Sequence, residues 1–362
     1  MMEEKMENDG IMIKTATGET SFRMFQEMLT SYRFSRILMA AHHIGVFESV
    51  GHDRVTISEI CCRTGMDNGY GARFLHVLQS LGFMECHGDG YSLSDFSKTY
   101  LIKTSKLYQG ASLAFERKLE ESWDMLEQTL TAGQRLYNTR EKTPEEYRAS
   151  LDLYLESMDN AAIIRAKELW NVICPGPSGV ILDVGAGSGA FISEFLNSHK
   201  AWRGIFCDLN PVVQRAGRDP RLNALKDRLE FRSLNFLEPD ELKHGLGDIS
   251  ADIVLVSNVV HCQGQRETES FLSGIVPCMG PNGLMIIHDF FSDDGFREAS
   301  YDLHMMLNTT NGRTYCRGEL KEMLGHLGIS GYREFQLPSL SAALVFFKEK
   351  NPETFTPEGF MV

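Results

Sequence analysis

Apolar residues recur along this chain at two spacings, and the spacing changes near residue 175. From Ser21 to Val50 the spacing is helical: Phe22, Phe25, Met28, Leu29 and Tyr32 fall at i, i+3, i+4 intervals. So many large apolar groups on a near-terminal helix imply burial against another chain or domain. In "VTISEICCRTGMDNGYGARFLHVLQSLGF", Thr56 or Ser58 can cap a short helix, Gly65 marks a turn, and a second helix follows. "FMECHGDGYSLS" reads as a hairpin turning at Gly88-Asp89-Gly90. Two helices and a hairpin make a winged-helix arrangement. Residues 101–172 then run helical almost throughout, until Pro175 and Pro177 punctuate the chain.

Beyond Pro177 strands alternate with helices. "GVILDV", "WRGIFCD", "RLEFRSLNF", "ADIVLVSNVV" and "NGLMIIHDFF" are short apolar runs that suit strands buried on both faces. Helical segments are expected around 265–279 and 317–327, and "YREFQLP" and "SAALVFFKEK" close the chain. The last two strands are joined too tightly for a parallel crossover, so they must pair antiparallel. The expected fold is α/β: a seven-stranded, doubly wound sheet with one reversed strand.

The stretch "VILDVGAGSGAF" carries the first candidate chemistry. A strand, a loop with glycines at alternate positions and a helix with Phe191, Ile192, Phe195 and Leu196 at helical spacing form half of a nucleotide-binding βαβ unit. Glycine admits tight turns and close approach of a ligand to the backbone. The spacing is D-x-G-x-G-x-G rather than the dinucleotide pattern. Asp183 beside the loop would repel a pyrophosphate and attract a ligand's ammonium or sulfonium. Asp208 ends the second strand, 21 residues beyond Gly187. An acid there can accept both hydroxyls of a ribose, or could instead cap the helix after Pro211. Loop and acid at this separation point to nucleoside binding.

Composition narrows the class. The chain has 362 residues, 43% of them apolar, enough for two cores. No apolar run approaches the roughly 20 residues of a membrane span, and "MMEEKMENDG" lacks the layout of a signal peptide. A net charge of −13 argues against nucleic acid, whose binding rests on neutralising phosphates. The helix "ARFLHVLQSLG" offers only Arg73 as a cation. Eight cysteines show no paired metal spacing and read as reduced thiols in a cytoplasmic protein. No metal site is expected.

With "SRILMAAHHIGVFE", "LDVGAGSG", "DLNPVV", "SNVVH" and "GRTYCRGELKEMLGHLGI" in this order, the sequence resembles the class I S-adenosylmethionine-dependent methyltransferases. More narrowly it is similar to the small-molecule O-methyltransferases of the caffeate and hydroxyindole type, over about residues 20–350. The resemblance implies a Rossmann-like methyltransferase sheet preceded by an all-α winged-helix dimerisation domain, with S-adenosyl-L-methionine as cofactor. It implies a hydroxyl of an aromatic or polycyclic small molecule as acceptor, and a homodimer built through residues 21–100. Gly185 and Gly187 would approach the methionine portion, with Asp183 near its ammonium and Asp208 on the ribose. Asn235 and Phe236 would stand around adenine, Asn235 where the family usually has Asp, and Met158 would lie near the sulfonium. His261 would be the general base, a neutral imidazole of pKa near 6.5 being able to take a proton at neutral pH.

Three further positions depart from the family's pattern. Cys262 stands where Asp commonly follows the histidine, and His288 and Thr314 stand where two carboxylates usually orient it; Asp289, next to His288, could substitute. The expected organisation is a tail at 1–20, the winged-helix domain at 21–100, a helical linker or lid at 101–174, the cofactor domain at 175–350 and a tail at 351–362. Phe115, Trp123, Tyr137 and Tyr154 suit a lid over an apolar acceptor. The competing readings are a ligand-sensing winged-helix regulator, a C-methyltransferase, and a member of the fold that binds the cofactor without transferring its methyl.

Overall fold

The computed structural model describes residues 22–137, 142–236, 238–293, 295–339 and 341–348. The two expected tails, 1–20 and 351–362, lie outside the described residues. Two compact units divide the chain, Met1–Lys106 and Leu107–Val362.

The first unit follows its capping signals. Helices α1 (Phe22–Thr30), α2 (Tyr32–His43) and α3 (Val46–Val50) replace the single long helix, with Gly45 at φ 79° where α3 begins. Thr56, not Ser58, caps α4 (Ile57–Thr64) in a reciprocal box with Glu59. After Gly65, at φ 74°, Asp67 accepts from Gly69 and Tyr70 to cap α5 (Asn68–Ser80). One expectation is corrected here: the unit is not all-α. Strand β1 (Val55–Thr56) joins the hairpin of β2 (Met84–His87) and β3 (Gly90–Leu93) in a three-stranded sheet of order β1-β3-β2, before α6 (Asp95–Tyr100). Two residues are too few to show alternation, so β1 becomes visible only through its pairing with Tyr91 and Gly90. Phe47, Ile60, Leu75, Leu78 and Leu93 fill the core.

The second unit begins with helices α7 (Gly110–Asp124), α8 (Leu126–Ala132) and α9 (Pro144–Val172). The chain then alternates: β4 (Gly179–Val184), α10 (Ala190–Ser198), β5 (Trp202–Asp208), α11 (Asn210–Ala216), α12 (Pro220–Asn223), β6 (Leu229–Ser233), α13 (Pro239–Leu246) and β7 (Ala251–Ser257). It ends with α14 (Gln265–Ile275), β8 (Met279–Asp289), α15 (Phe296–Asn308), α16 (Arg317–His326), β9 (Gly331–Gln336) and β10 (Ala342–Phe347). The seven strands are ordered β6-β5-β4-β7-β8-β10-β9, and β10 runs antiparallel to both its neighbours. This is the expected α/β sheet with one reversed strand.

Neighbouring residues on one strand enter different cores. Leu182, Val254 and Ile287 belong to one apolar cluster, while Ile181, Leu255 and Ile286 belong to the other. Both faces are therefore covered, which is why these strands read as unbroken apolar runs. Trp170 of α9 donates its indole N–H to the Phe191 carbonyl at 2.9 Å, and its ring lies tilted against Phe195 with centroids 4.6 Å apart. The long helix is thus part of the sheet's own packing, within the unit Leu107–Val362.

Candidate active site

A cavity of about 650 Å³ opens at the C-terminal ends of β4 and β7, where open α/β sheets hold their ligands. The glycine loop forms one end. Gly185, Gly187 and Gly189 lie at φ 75°, 56° and 74°, a region that favours glycine. Their surroundings differ. A Cβ on Gly185 would meet Val259 at 2.5 Å, and one on Gly189 would meet Leu222 at 2.8 Å; at Gly187 nothing stands nearer than 4.0 Å. Gly185 and Gly189 therefore keep room for packing, and only Gly187 leaves backbone bare.

Two acids hold this loop. Asp208 accepts from the Gly187 amide at 2.7 Å and from the Leu209 amide at 2.7 Å. Its carboxylate therefore pins the loop instead of capping α11, whose N-cap residue is Leu209. Burial raises its pKa, and the two amides oppose that rise. Asp183 is 1% exposed, and its Oδ2 has no hydrogen-bond partner among the described residues. Burial, with Asp208 close by, pushes its pKa up to about 8. A buried carboxyl in this state favours a cationic partner.

Met158, 37% exposed on α9, lines the same cavity. Asp208, Asn235 and Phe236 do not line it. Phe236 is half-buried, edge-on to Phe271 at 6.0 Å. The Asn235 amide N–H donates to Glu241 at 2.8 Å.

His261 forms the other end. Asn258, at φ 55°, turns the chain after β7 and donates its amide N–H to the His288 carbonyl at 2.9 Å. A short 3₁₀ turn, Val260–Cys262, then delivers the imidazole. His261 Nδ1 lies 2.6 Å from Asp289 Oδ1, with both residues buried. A carboxylate at Nδ1 fixes the tautomer and leaves Nε2 as the proton-accepting atom. Burial alone would lower the His261 pKa, but Asp289, with Tyr301 and Cys262, carries it well above the ordinary value.

The two departures at the carboxylate positions are also resolved. His288 is fully buried between Ser257 Oγ and Ser341 Oγ, each 2.8 Å away, and burial pushes its pKa down to about 3. The Thr314 hydroxyl donates to Asp302 at 3.1 Å. Neither bonds His261. The orienting group is Asp289.

Other lining residues have no counterpart among the expected ones. Helix α15 was not expected, because its inward side chains are polar and aromatic rather than aliphatic. It brings Tyr301 edge-on to His261 at 5.3 Å, with His304 beyond it. Arg165 of α9 lies over the Phe290 ring at 4.8 Å. Of the expected lid residues, Phe115, Tyr137 and Tyr154 line the cavity, whereas Trp123 packs beside His304 at 6.3 Å.

Two family models match this chain: an O-methyltransferase domain over residues 114–330 and an O-methyltransferase dimerisation domain over residues 26–103. The chain belongs to the O-methyltransferase family. It is an S-adenosyl-L-methionine-dependent methyltransferase, and the loop suits that cofactor: a bare backbone at Gly187 and a buried acid awaiting a cation. Among curated relatives of this methyltransferase is the N,N-dimethyltransferase OxyT of Streptomyces rimosus, 23% identical over 80% of this chain and 83% of that protein. Another is the tetracenomycin polyketide synthesis 8-O-methyl transferase TcmO of Streptomyces glaucescens, 23% identical over 85% of this chain and 91% of its own length. The solved human N-acetylserotonin methyltransferase, in complex with SAM, shares the fold at TM-score 0.74 and 17% identity, covering 92% of this chain and 99% of its own. No helix among the described residues is long and apolar enough to cross a membrane.

Proposed function

We propose that this methyltransferase acts on a hydroxyl of an aromatic or polycyclic small molecule, with His261 as general base. One observation carries the reading. The buried His261–Asp289 pair, at 2.6 Å, stands in the same cavity as the glycine loop. When bound, S-adenosyl-L-methionine supplies a methyl group on a sulfonium, which leaves readily in an in-line displacement. Asp208 would accept the ribose hydroxyls, its carboxylate oxygens each having a lone pair beyond the amide they already bond. Asp183 would meet the ammonium, Gly185 and Gly187 would border the methionine portion, and Met158 would lie near the sulfonium. Asn235 and Phe236 would stand around adenine.

His261 Nε2 would take the acceptor's proton, and Asp289 would stabilise the imidazolium so formed. Phe115 and Tyr154, edge-to-face at 5.7 Å, would cover a flat apolar acceptor from the α7 and α9 side. The test is turnover of His261→Ala with a panel of phenols, beside its affinity for S-adenosyl-L-homocysteine. Near-normal turnover across pH 6–9 would reject base catalysis.

We also read the active form as a homodimer formed through residues 21–100. Phe22, Leu29, Tyr32 and Phe34 are all more than 45% exposed on α1 and α2 within their unit, and surfaces of that kind mark association. Sedimentation as a monomer at micromolar concentration would contradict it. Eight free thiols fit a cytoplasmic setting.

A further inference from the structure

Tyr137, Tyr154 and Tyr301 all line the cavity, and they are placed differently. Tyr137 donates its hydroxyl to the Lys118 carbonyl at 3.3 Å. Tyr301 packs its ring between His261 and His304, 5.3 Å from each. Tyr154 is 39% exposed, and its hydroxyl makes no hydrogen bond among the described residues.

The helix sets where that hydroxyl stands. Tyr154, Met158, Ala161, Ala162 and Arg165 line the cavity from α9, at the spacing of one helix face. Tyr154 is one turn from Met158, roughly 6 Å along the axis. Phe115 of α7 holds its ring, with centroids 5.7 Å apart and planes at 61°. Groups at both ends of the site bear on the hydroxyl: His261, Cys262 and Tyr301 from one side, Asp208 from the other. Burial, helped by Cys262 and opposed by His261, carries its pKa above the usual range of a phenol. At neutral pH it is therefore a donor that keeps its proton.

The reacting oxygen of a phenolic acceptor has one proton and two lone pairs. His261 Nε2 takes the proton, and one lone pair is kept for attack. The other needs a donor once water is excluded, because a buried acceptor left bare is costly.

We infer that Tyr154 is a further catalytic residue, whose hydroxyl donates to the acceptor's reacting oxygen and stabilises the oxyanion formed as His261 removes the proton. The inference rests on the acceptor reading given above, that an aromatic hydroxyl faces His261. In this step the acceptor's O–H bond breaks, the proton passes to Nε2 and the electron pair stays on oxygen. Tyr154 keeps its own proton throughout. Such a donor favours ionisation but also holds the oxyanion back from attack. It speeds a weakly acidic phenol, whose ionisation limits the rate, and gives no help to an acidic one that is already ionised.

Tyr154→Phe keeps the ring against Phe115 and deletes the oxygen alone. Absorbance titration of 4-nitrophenol, bound to the full-length protein with S-adenosyl-L-homocysteine, reads the ionisation without turnover. The substitution should lower the bound phenol's ionisation constant roughly tenfold or more, the usual worth of a hydrogen bond to a charged group. Single-turnover rates should fall by a similar factor with 4-methoxyphenol and hardly at all with 4-nitrophenol. Affinity for S-adenosyl-L-homocysteine checks that the variant folds. An ionisation constant that does not move, or a rate loss equal for the two phenols, would overturn the inference. A protein that binds neither phenol would refuse the acceptor reading and this inference with it. His261→Ala keeps the two readings apart. If that variant holds its rate with 4-methoxyphenol while Tyr154→Phe still moves the ionisation, only the base is lost. If His261 is needed and Tyr154→Phe moves nothing, only the role of Tyr154 is lost.

Discussion

The two ends of the cavity bury carboxylates in opposite ways. At the β7–β8 end, Asp289 has its charge partner built in: His261 sits on it at 2.6 Å, and the pair holds the imidazole in one tautomer. At the β4–β5 end, Asp183 is as deeply buried, yet the charge that acts on it is that of another acid, Asp208, and its pKa is pushed up to about 8. One acid has its counter-charge within the protein, and on the proposed reading the other is left to meet one on a ligand. Low dielectric makes both arrangements matter, since an unmatched charge there costs far more than in water. On the proposed reading, the difference separates a group that moves a proton from a group that waits for a cation.

The largest effect should come from breaking the completed end. His261→Ala should lower turnover roughly a hundredfold or more, the usual worth of a general base, with cofactor affinity little changed. Stopped-assay turnover and calorimetry on one preparation check both halves.

Next comes the waiting end. Asp208→Ala should weaken S-adenosyl-L-homocysteine binding more than tenfold, because charge-assisted hydrogen bonds are worth about 1.5–3 kcal/mol each and the Gly187 anchor goes with them. Unchanged affinity in titration would defeat the assignment.

Asp183 should make cofactor binding pH-dependent. Its ionised form attracts the ammonium, and its pKa without ligand is about 8. Affinity should therefore fall as pH drops below 8, by at most about tenfold per unit. Asp183→Asn should flatten that dependence. Titrations of both proteins from pH 6.5 to 9 decide the point, and a wild-type affinity that is level across this range would count against it.

The smallest change sharpens the contrast. The acting form of His261 is unprotonated and its pKa lies well above 6.5, so turnover should fall as pH is lowered through that raised value. Removing the carboxylate charge with Asp289→Asn lowers the pKa, and the acid limb should move to lower pH. The plateau rate should fall too, the imidazolium having lost its support. A pH–rate profile unmoved by the substitution would show that Asp289 does not tune the base.

Much of the waiting end was legible in the sequence. A strand, a glycine loop, a helix and an acid at the end of the next strand are all written within about thirty residues, and each follows a local period or a local backbone need. Even there the sequence treated Gly185 and Gly187 alike, whereas packing against Val259 explains the first and open space the second. In the first unit the caps at Thr56 and Asp67 are equally local, and the two-residue strand β1 is not.

By itself, then, the sequence determined the succession of the large sheet's seven strands, one of them reversed, and the motifs that lie within one strand–loop–helix unit. Tertiary structure alone decided which group orients His261. The sequence offered His288, Thr314 and Asp289; the register that sets Ser257 beside His288 brings the ends of β7 and β8 together and leaves Asp289, 28 residues away, against the imidazole. It alone decided that α9 packs with the sheet, because that contact is long-range. It alone showed the inward face of α15, whose polar and aromatic side chains face a cavity and so carry no apolar period. Local periods record which face of an element is buried; they do not record which elements meet.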